Sequence, residues 1–206
     1  MARLAEKDTP TYSADELRNR LAELRSAASD SEGLGLEVEP WSYDELVAFL
    51  DEPEDPRGRN HALTVLDTYA EFLEAAAERR QLLAQRLRTF ERILADFYTG
   101  KRVTVNSQAG LNIQTLTGDS LTERQLSSGE YHLLYLMVTA LVSKRRGAVI
   151  AIDEPEMSMH IAWQRKLIPN LVACASHASP QLLFATHSPE LVAEFRDHLV
   201  EMKGDV

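Results

Sequence analysis

Cysteine is nearly absent from this chain. Cys174 stands alone among 206 residues, so no internal disulfide can form, and that usage fits a reducing, cytoplasmic setting. Long apolar runs are absent as well: none approaches the roughly 18 residues that a membrane helix requires. The opening MARLAEKDTP is too charged to read as a secretory leader. Positive charge is scarce, with 22 Lys and Arg against 32 Asp and Glu and a net charge of -10. That balance excludes a protein that wraps nucleic acid with its whole surface, though not a local basic patch. Internal repeats and low-complexity tracts are missing too. His61, His132, His177 and His198 show no metal-ligand spacing. What remains is a chain long enough to bury a core in one or two domains.

Three segments separate by pattern. Residues 1–57 hold most of the acid excess, in stretches such as EVEPWSYDE and DEPEDP, and read as an acidic helical region. Two helix candidates there open on capping boxes, Ser13 with Glu16 and Ser42 with Glu45. Residues 58–100 form a second segment. From Asn60 to Tyr98 there is no proline or glycine, and apolar residues fall on a heptad. Leu66, Leu73, Leu87 and Leu94 share one position, and Tyr69, Ala76, Leu83, Phe90 and Phe97 the position three further on, with Arg80 the only polar interruption. Such a helix would be about 60 Å long. A coiled-coil arm and a long helix lying across its own domain fit the pattern equally.

In the third segment, residues 101–206, the period changes to two. KRVTVN and LNIQTL, joined by SQAG, predict a hairpin with Gly110 near its turn. Helix 127–145, strand 148–152, helix 159–175, strand 181–186 and a final helical stretch from 188 follow. Strands alternating with helices imply an α/β lobe with a parallel sheet.

Three stretches in that lobe carry chemistry. AVIAIDE is an unbroken apolar run, the pattern of a strand buried on both faces, and it ends in Asp153 and Glu154. Ligands of such sheets bind beyond the carboxyl ends of the strands. Neighbouring carboxylates there suit a division of labour, Asp153 toward Mg²⁺ through water and Glu154 as general base on an attacking water. The competing use is to cap the next helix or pair with arginines. LSSGE, from Leu126 to Glu130, is a capping box that opens an apolar helix. Ser127, Ser128 and Gly129 also offer hydroxyls, free amides and close approach to an anion. QLLFATHSPEL ends a second apolar strand at Thr186 and His187, where a histidine can donate to a phosphate.

In this order the three stretches resemble the C-terminal lobe of ABC-type ATPases: signature motif, Walker B with D-loop, and switch histidine. IDEPEMSMHIAWQ, including Trp163 and Gln164, is similar to the ABC-type AAA ATPases of OLD-family nucleases and of Septu-like or retron-associated phage-defence systems. The likeness covers roughly residues 90–206. It implies a partial P-loop NTPase fold, an α/β C-terminal lobe behind a long helix and a small helical N-terminal region. It implies ATP and Mg²⁺ as cofactors, with Asp153 the magnesium residue, Glu154 the catalytic base and His187 at the γ-phosphate. Ser127, Ser128 and Gly129 would reach the γ-phosphate of ATP held by another protomer, in a homo- or heterodimer of heads. A nuclease effector is a further partner that the family implies. Ser128 and Glu130 depart from the glycine and glutamine of transporter-type signatures, and His160 stands in place of their D-loop aspartate.

No G-x-x-x-x-G-K-[ST] occurs in the chain. YTGKRV, around Gly100 and Lys101, lacks both the earlier glycine and the following Ser or Thr. Asp153 and Glu154 thus read as half of an ATP site. Three accounts of the other half stand open: a longer ATPase of which this is the C-terminal portion, a Walker A lobe on a separate polypeptide, or a non-catalytic module. On the first two, the strand ending at Thr186 is expected to present an apolar, unpaired edge. There is no HNH pattern and no acidic cluster of the TOPRIM kind. Lys144, Arg145 and Arg146 read as a solvated helix end, and Trp41 and Trp163 as packing anchors.

Overall fold

The computed structural model describes residues 13–28, 34–36, 45, 48, 56–143 and 147–200. Trp41, Ser42 and the basic turn at 144–146 lie outside them, and with them the second capping box. The chain divides into two compact units, residues 1–85 with 106–108, and residues 86–105 with 109–206. The division falls inside the long helix rather than at either end of it.

In the first unit, helix α1 (Ala14–Ala28) opens as its sequence predicts. The Ser13 amide donates to Glu16 Oε2 at 2.7 Å, and the Glu16 amide donates to Ser13 Oγ at 3.3 Å. Leu17 and Leu21 bury against Leu63, Leu66 and Ala70 of helix α2 (Pro56–Phe97). Proline suits the first turn of α2, since its missing N–H would have no partner there in any case. Beside this small core lies a charge cluster. Arg20 Nε and Nη2 form a fork on the Glu74 carboxylate at 2.8 Å each, and Nη1 donates to Asp67 Oδ1 at 2.9 Å. Asp67 is only 4% exposed, and the guanidinium offsets part of the cost of burying its charge. At 106–108 the Ser107 amide donates to Leu34 O at 2.8 Å.

The heptad of α2 resolves into two buried ends. Leu66 at one end and Leu87, Phe90, Leu94 and Phe97 at the other are buried, whereas no residue from 71 to 83 is. In that middle stretch Phe72 and Leu82 are each more than three-fifths exposed.

In the second unit, β1 (Lys101–Asn106) lies beside β2 (Gly110–Thr115), which pairs antiparallel with β3 (Ser120–Leu121). A two-residue strand carries too little pattern to be foreseen. After a 3₁₀ turn at Glu123–Gln125, helix α3 (Ser128–Val142) leads to β4 (Val149–Asp153). Helix α4 (Ile161–Ala175), β5 (Gln181–Ala185) and the short helix α5 (Pro189–Val192) complete the lobe. Phe90, Leu94 and Phe97 of α2 meet Val103, Ile113, Leu133, Met137, Leu167 and Leu171 in one core. Burial there pushes the Cys174 thiol up to about 11, so it packs as a small apolar group beside Met137. Helix α4 continues through Pro169, held by Leu167, Ile168 and Leu171 on its buried side.

β4 and β5 pair in parallel, Val149 with Gln181 through Asp153 with Ala185. The expectation of strands buried on both faces fails. Exposure alternates along both strands: Ile152, Leu182 and Phe184 pack on the core, while Val149, Ala151, Leu183 and Ala185 are exposed on the other face. Among the described residues the sheet has only these two strands, so the apolar run has nothing to cover its second side. Val149 and Leu183 stay more than half exposed, and each forgoes a little over half of the roughly 1.5–3 kcal/mol that full burial would bring.

Candidate functional site

The carboxyl ends of β4 and β5 bring three of the chemical residues to one edge. Asp153 ends β4 opposite Ala185, and Glu154 follows with its amide donating to Ala185 O at 2.8 Å. His187 leaves β5 two residues after Ala185. Glu154 has a φ of 46° and Ser158 a φ of 64°, both in the left-handed region that side chains seldom adopt. These two residues bracket Pro155, Glu156 and Met157, and strain of this kind collects at working sites. Buried Pro155 and Met159 anchor the loop between them.

Asp153 and Glu154 are exposed, and among the described residues neither carboxylate has a hydrogen-bond or ion-pair partner. Among the described residues neither competing use, helix capping or pairing with arginine, is seen for these two side chains. The next helix is capped by His160, whose Nδ1 accepts from the Ala162 amide at 3.2 Å. His160 thus fills a capping role at the start of α4.

Ser127, Ser128 and Gly129 sit at the start of α3. The capping box forms as the spacing predicts, with the Ser127 amide donating to Glu130 Oε2 at 2.8 Å and the Glu130 amide to Ser127 Oγ at 3.3 Å. Both serines are exposed. Gly129 is buried, and a Cβ added to it would lie 2.4 Å from Ser158 O. Glycine is required there so that the helix start can pack against the loop after Glu154. Among the described residues no hydrogen bond links Ser127 or Ser128 to Asp153, Glu154 or His187.

Lys101 of YTGKRV has a partner within the lobe. Its ammonium lies 2.6 and 2.7 Å from the two Glu130 oxygens, and Tyr98 Oη donates to Glu130 O at 2.8 Å. Burial pushes the Glu130 carboxyl up, but the Lys101 ammonium and the Ser127 N–H and hydroxyl together outweigh it and hold it below the usual range. Burial and the neighbouring Glu130 charge hold the Tyr98 phenol well above its ordinary range. Trp163 meets Phe97 edge-on at 5.6 Å, which agrees with its reading as a packing anchor.

Glu156 was not singled out from the sequence, because in DEPE it reads as one more surface acid. Its Oε1 accepts from Thr186 Oγ1 at 2.5 Å, the His187 amide at 3.2 Å and the Ser188 amide at 3.1 Å. Gln164 joins the same region: its Nε2 donates to Met159 O at 3.0 Å, and its Oε1 accepts from Ser188 Oγ at 2.6 Å. The only available signal was the pairing of DEPE with THS in the motif run.

The donor set fits a Mg²⁺ nucleotide more than a metal held by protein alone. Among the described residues no three His, Cys, Asp or Glu side chains gather into a metal cluster. One free carboxylate at a strand end suits Mg²⁺, which keeps several waters and takes its other ligands from phosphates. Among the described residues no helix is long and apolar enough to cross a membrane. No curated protein matches the chain. A family of known sequences does match, over residues 4–193, and its description reads "AAA domain, putative AbiEii toxin, Type IV TA system". That span takes in both units and all the motif residues, and the chain belongs to this AAA-domain family of ABC-type ATPases.

Proposed function

We propose that this chain contributes the Walker B, signature and switch elements of an ATP-hydrolysing site whose P-loop lobe is supplied elsewhere. One observation carries the reading. Two unpartnered carboxylates and a histidine share the carboxyl edge of a parallel strand pair whose other face is apolar and open. Asp153 would hold Mg²⁺ through water, and the bound ion would neutralise charge on the phosphates. Glu154 would take the proton of the attacking water. His187 would donate to the γ-phosphate. The exposed Ser127 and Ser128, with Gly129 shaping the helix start, would meet the γ-phosphate of ATP held by another protomer. A strand and helices of the missing lobe would cover Val149, Ala151 and Leu183.

The run IDEPEMSMHIAWQ supports placement beside the OLD, Septu-like and retron-associated ATPases, and so a defence or DNA-processing role. The toxin–antitoxin wording of the family's description suits that setting. A nuclease would then be a partner rather than an activity of this chain.

The test begins with the DNA flanking this reading frame. A P-loop frame found there is co-expressed with the chain, and Mg²⁺-dependent ATP hydrolysis is measured for wild type and Glu154→Gln. Hydrolysis by wild type, with ATP bound but uncleaved in the variant, supports the proposal. An assembly that hydrolyses no ATP, or a variant as active as wild type, overturns it. A second reading rests on exposed Phe72 and Leu82, which suit a helix that associates with another helix. It predicts self-association insensitive to ATP and to Glu154→Gln.

A further inference from the structure

His187 can act on a phosphate only if its loop is fixed, because it is exposed and lies two residues past the end of an edge strand. Gln164 holds the Ser188 hydroxyl, and one carboxylate gathers the rest of the loop. A hydroxyl and two successive amides, from Thr186, His187 and Ser188, converge on Oε1 of Glu156. Thr186 Oγ1 also accepts from the Ser188 amide at 3.0 Å, which closes the turn around that oxygen. Glu156 Oε2 is buried and has no hydrogen-bond partner in the described structure. The hydrogen bonding of the carboxylate is therefore committed to residues 186–188.

Glu156 also stands two residues beyond Glu154, separated from it by fully buried Pro155. The same short link that sets the base thus holds the backbone of the histidine. We infer that Glu156 is the positioning residue for His187, tying the switch loop to the loop that carries the proposed general base. This inference rests on the ATPase reading for its catalytic consequence, and on geometry alone for the clamp.

The two parts can be tested apart. In the full chain, amide hydrogen exchange and ¹H–¹⁵N spectra of residues 186–188 are compared among wild type, Glu156→Gln and Glu156→Ala. The alanine variant is expected to speed exchange at the His187 and Ser188 amides by about tenfold or more, since bonds to a carboxylate are stronger than neutral ones. The glutamine variant keeps an acceptor oxygen and is expected to lie between. Should the alanine variant fail to fold, glutamine together with Thr186→Val, which removes one donor, decides the same question. Unchanged exchange in every folded variant overturns the clamp, whatever the ATPase does.

In the assembly completed by a P-loop lobe, Glu156→Ala is expected to lower kcat for ATP about 10–100-fold with little change in KM, and Glu156→Gln to recover part of it. Faster exchange with kcat untouched would overturn the positioning role. Absence of hydrolysis in wild type would overturn the ATPase reading and leave the exchange result standing.

Discussion

The two units of this protein use buried and half-buried charge in opposite ways. In the first, Arg20 pairs with both Asp67 and Glu74. In the second, the charges are divided. Glu130 and Glu156 are spent on holding loops, Glu130 by Lys101 and Ser127 and Glu156 by the switch segment. Asp153 and Glu154, just before Glu156, have no partners among the described residues. Closed clusters stabilise. An open pair beside a closed one is the arrangement of a site, because the closed members fix geometry and the open ones remain available for chemistry.

The comparison breaks most visibly at Glu154. In the completed ATPase, Glu154→Gln is expected to lower kcat by about 10²–10⁴-fold, the usual worth of a general base. The same substitution should move the melting temperature of the chain little, since an exposed side chain without partners contributes within about 0.5 kcal/mol. Loss of activity accompanied by a large loss of stability would mean that Glu154 is another closed charge.

Arg20→Ala is its counterpart in the first unit. It removes the guanidinium from Asp67, which is 4% exposed, and from Glu74, and is expected to destabilise by about 3 kcal/mol in denaturant melts. ATP hydrolysis per folded molecule should not change. Gly129→Ala follows, at about 1–3 kcal/mol, because the new methyl meets the Ser158 carbonyl rather than a flexible side chain. Helix propensity alone would favour alanine by about 1 kcal/mol, so a neutral or stabilising outcome would show that the contact relaxes cheaply.

How much of this was legible in sequence follows from the kind of interaction. Capping boxes at Ser13 and Ser127 are local, with both partners three residues apart, and they form as their spacing predicts. The apolar periodicities placed α2, α3, α4, β4 and β5 within a few residues. Burial of β4 and β5 was misjudged because an apolar run reports what a strand is suited to, and here one face of the sheet is open. Glu156 was missed for a different reason. Its partners lie 30–32 residues away and two of them are backbone amides, which no side-chain pattern announces. Lys101 with Glu130, 29 residues apart, was hidden in the same way.

That last pair yields the smallest and most specific effect. Since the Glu130 carboxyl is held below its usual range, its contribution to stability is fully present at pH values above the ordinary glutamate range. It is lost as the pH falls through the lowered folded-state value, where the carboxyl is protonated in both states. Lys101→Met removes the ammonium, one of the groups that hold the carboxyl low against its burial. The variant is expected to be less stable than wild type by about 1 kcal/mol near neutral pH, with the difference shrinking toward zero in acid. Thermal melts of both proteins across the acid range measure it. A difference that stays constant with pH would mean that Lys101 acts through its packed stem rather than its charge. The α3 start would then be fixed by Ser127, Gly129 and Tyr98 without help from the ion pair.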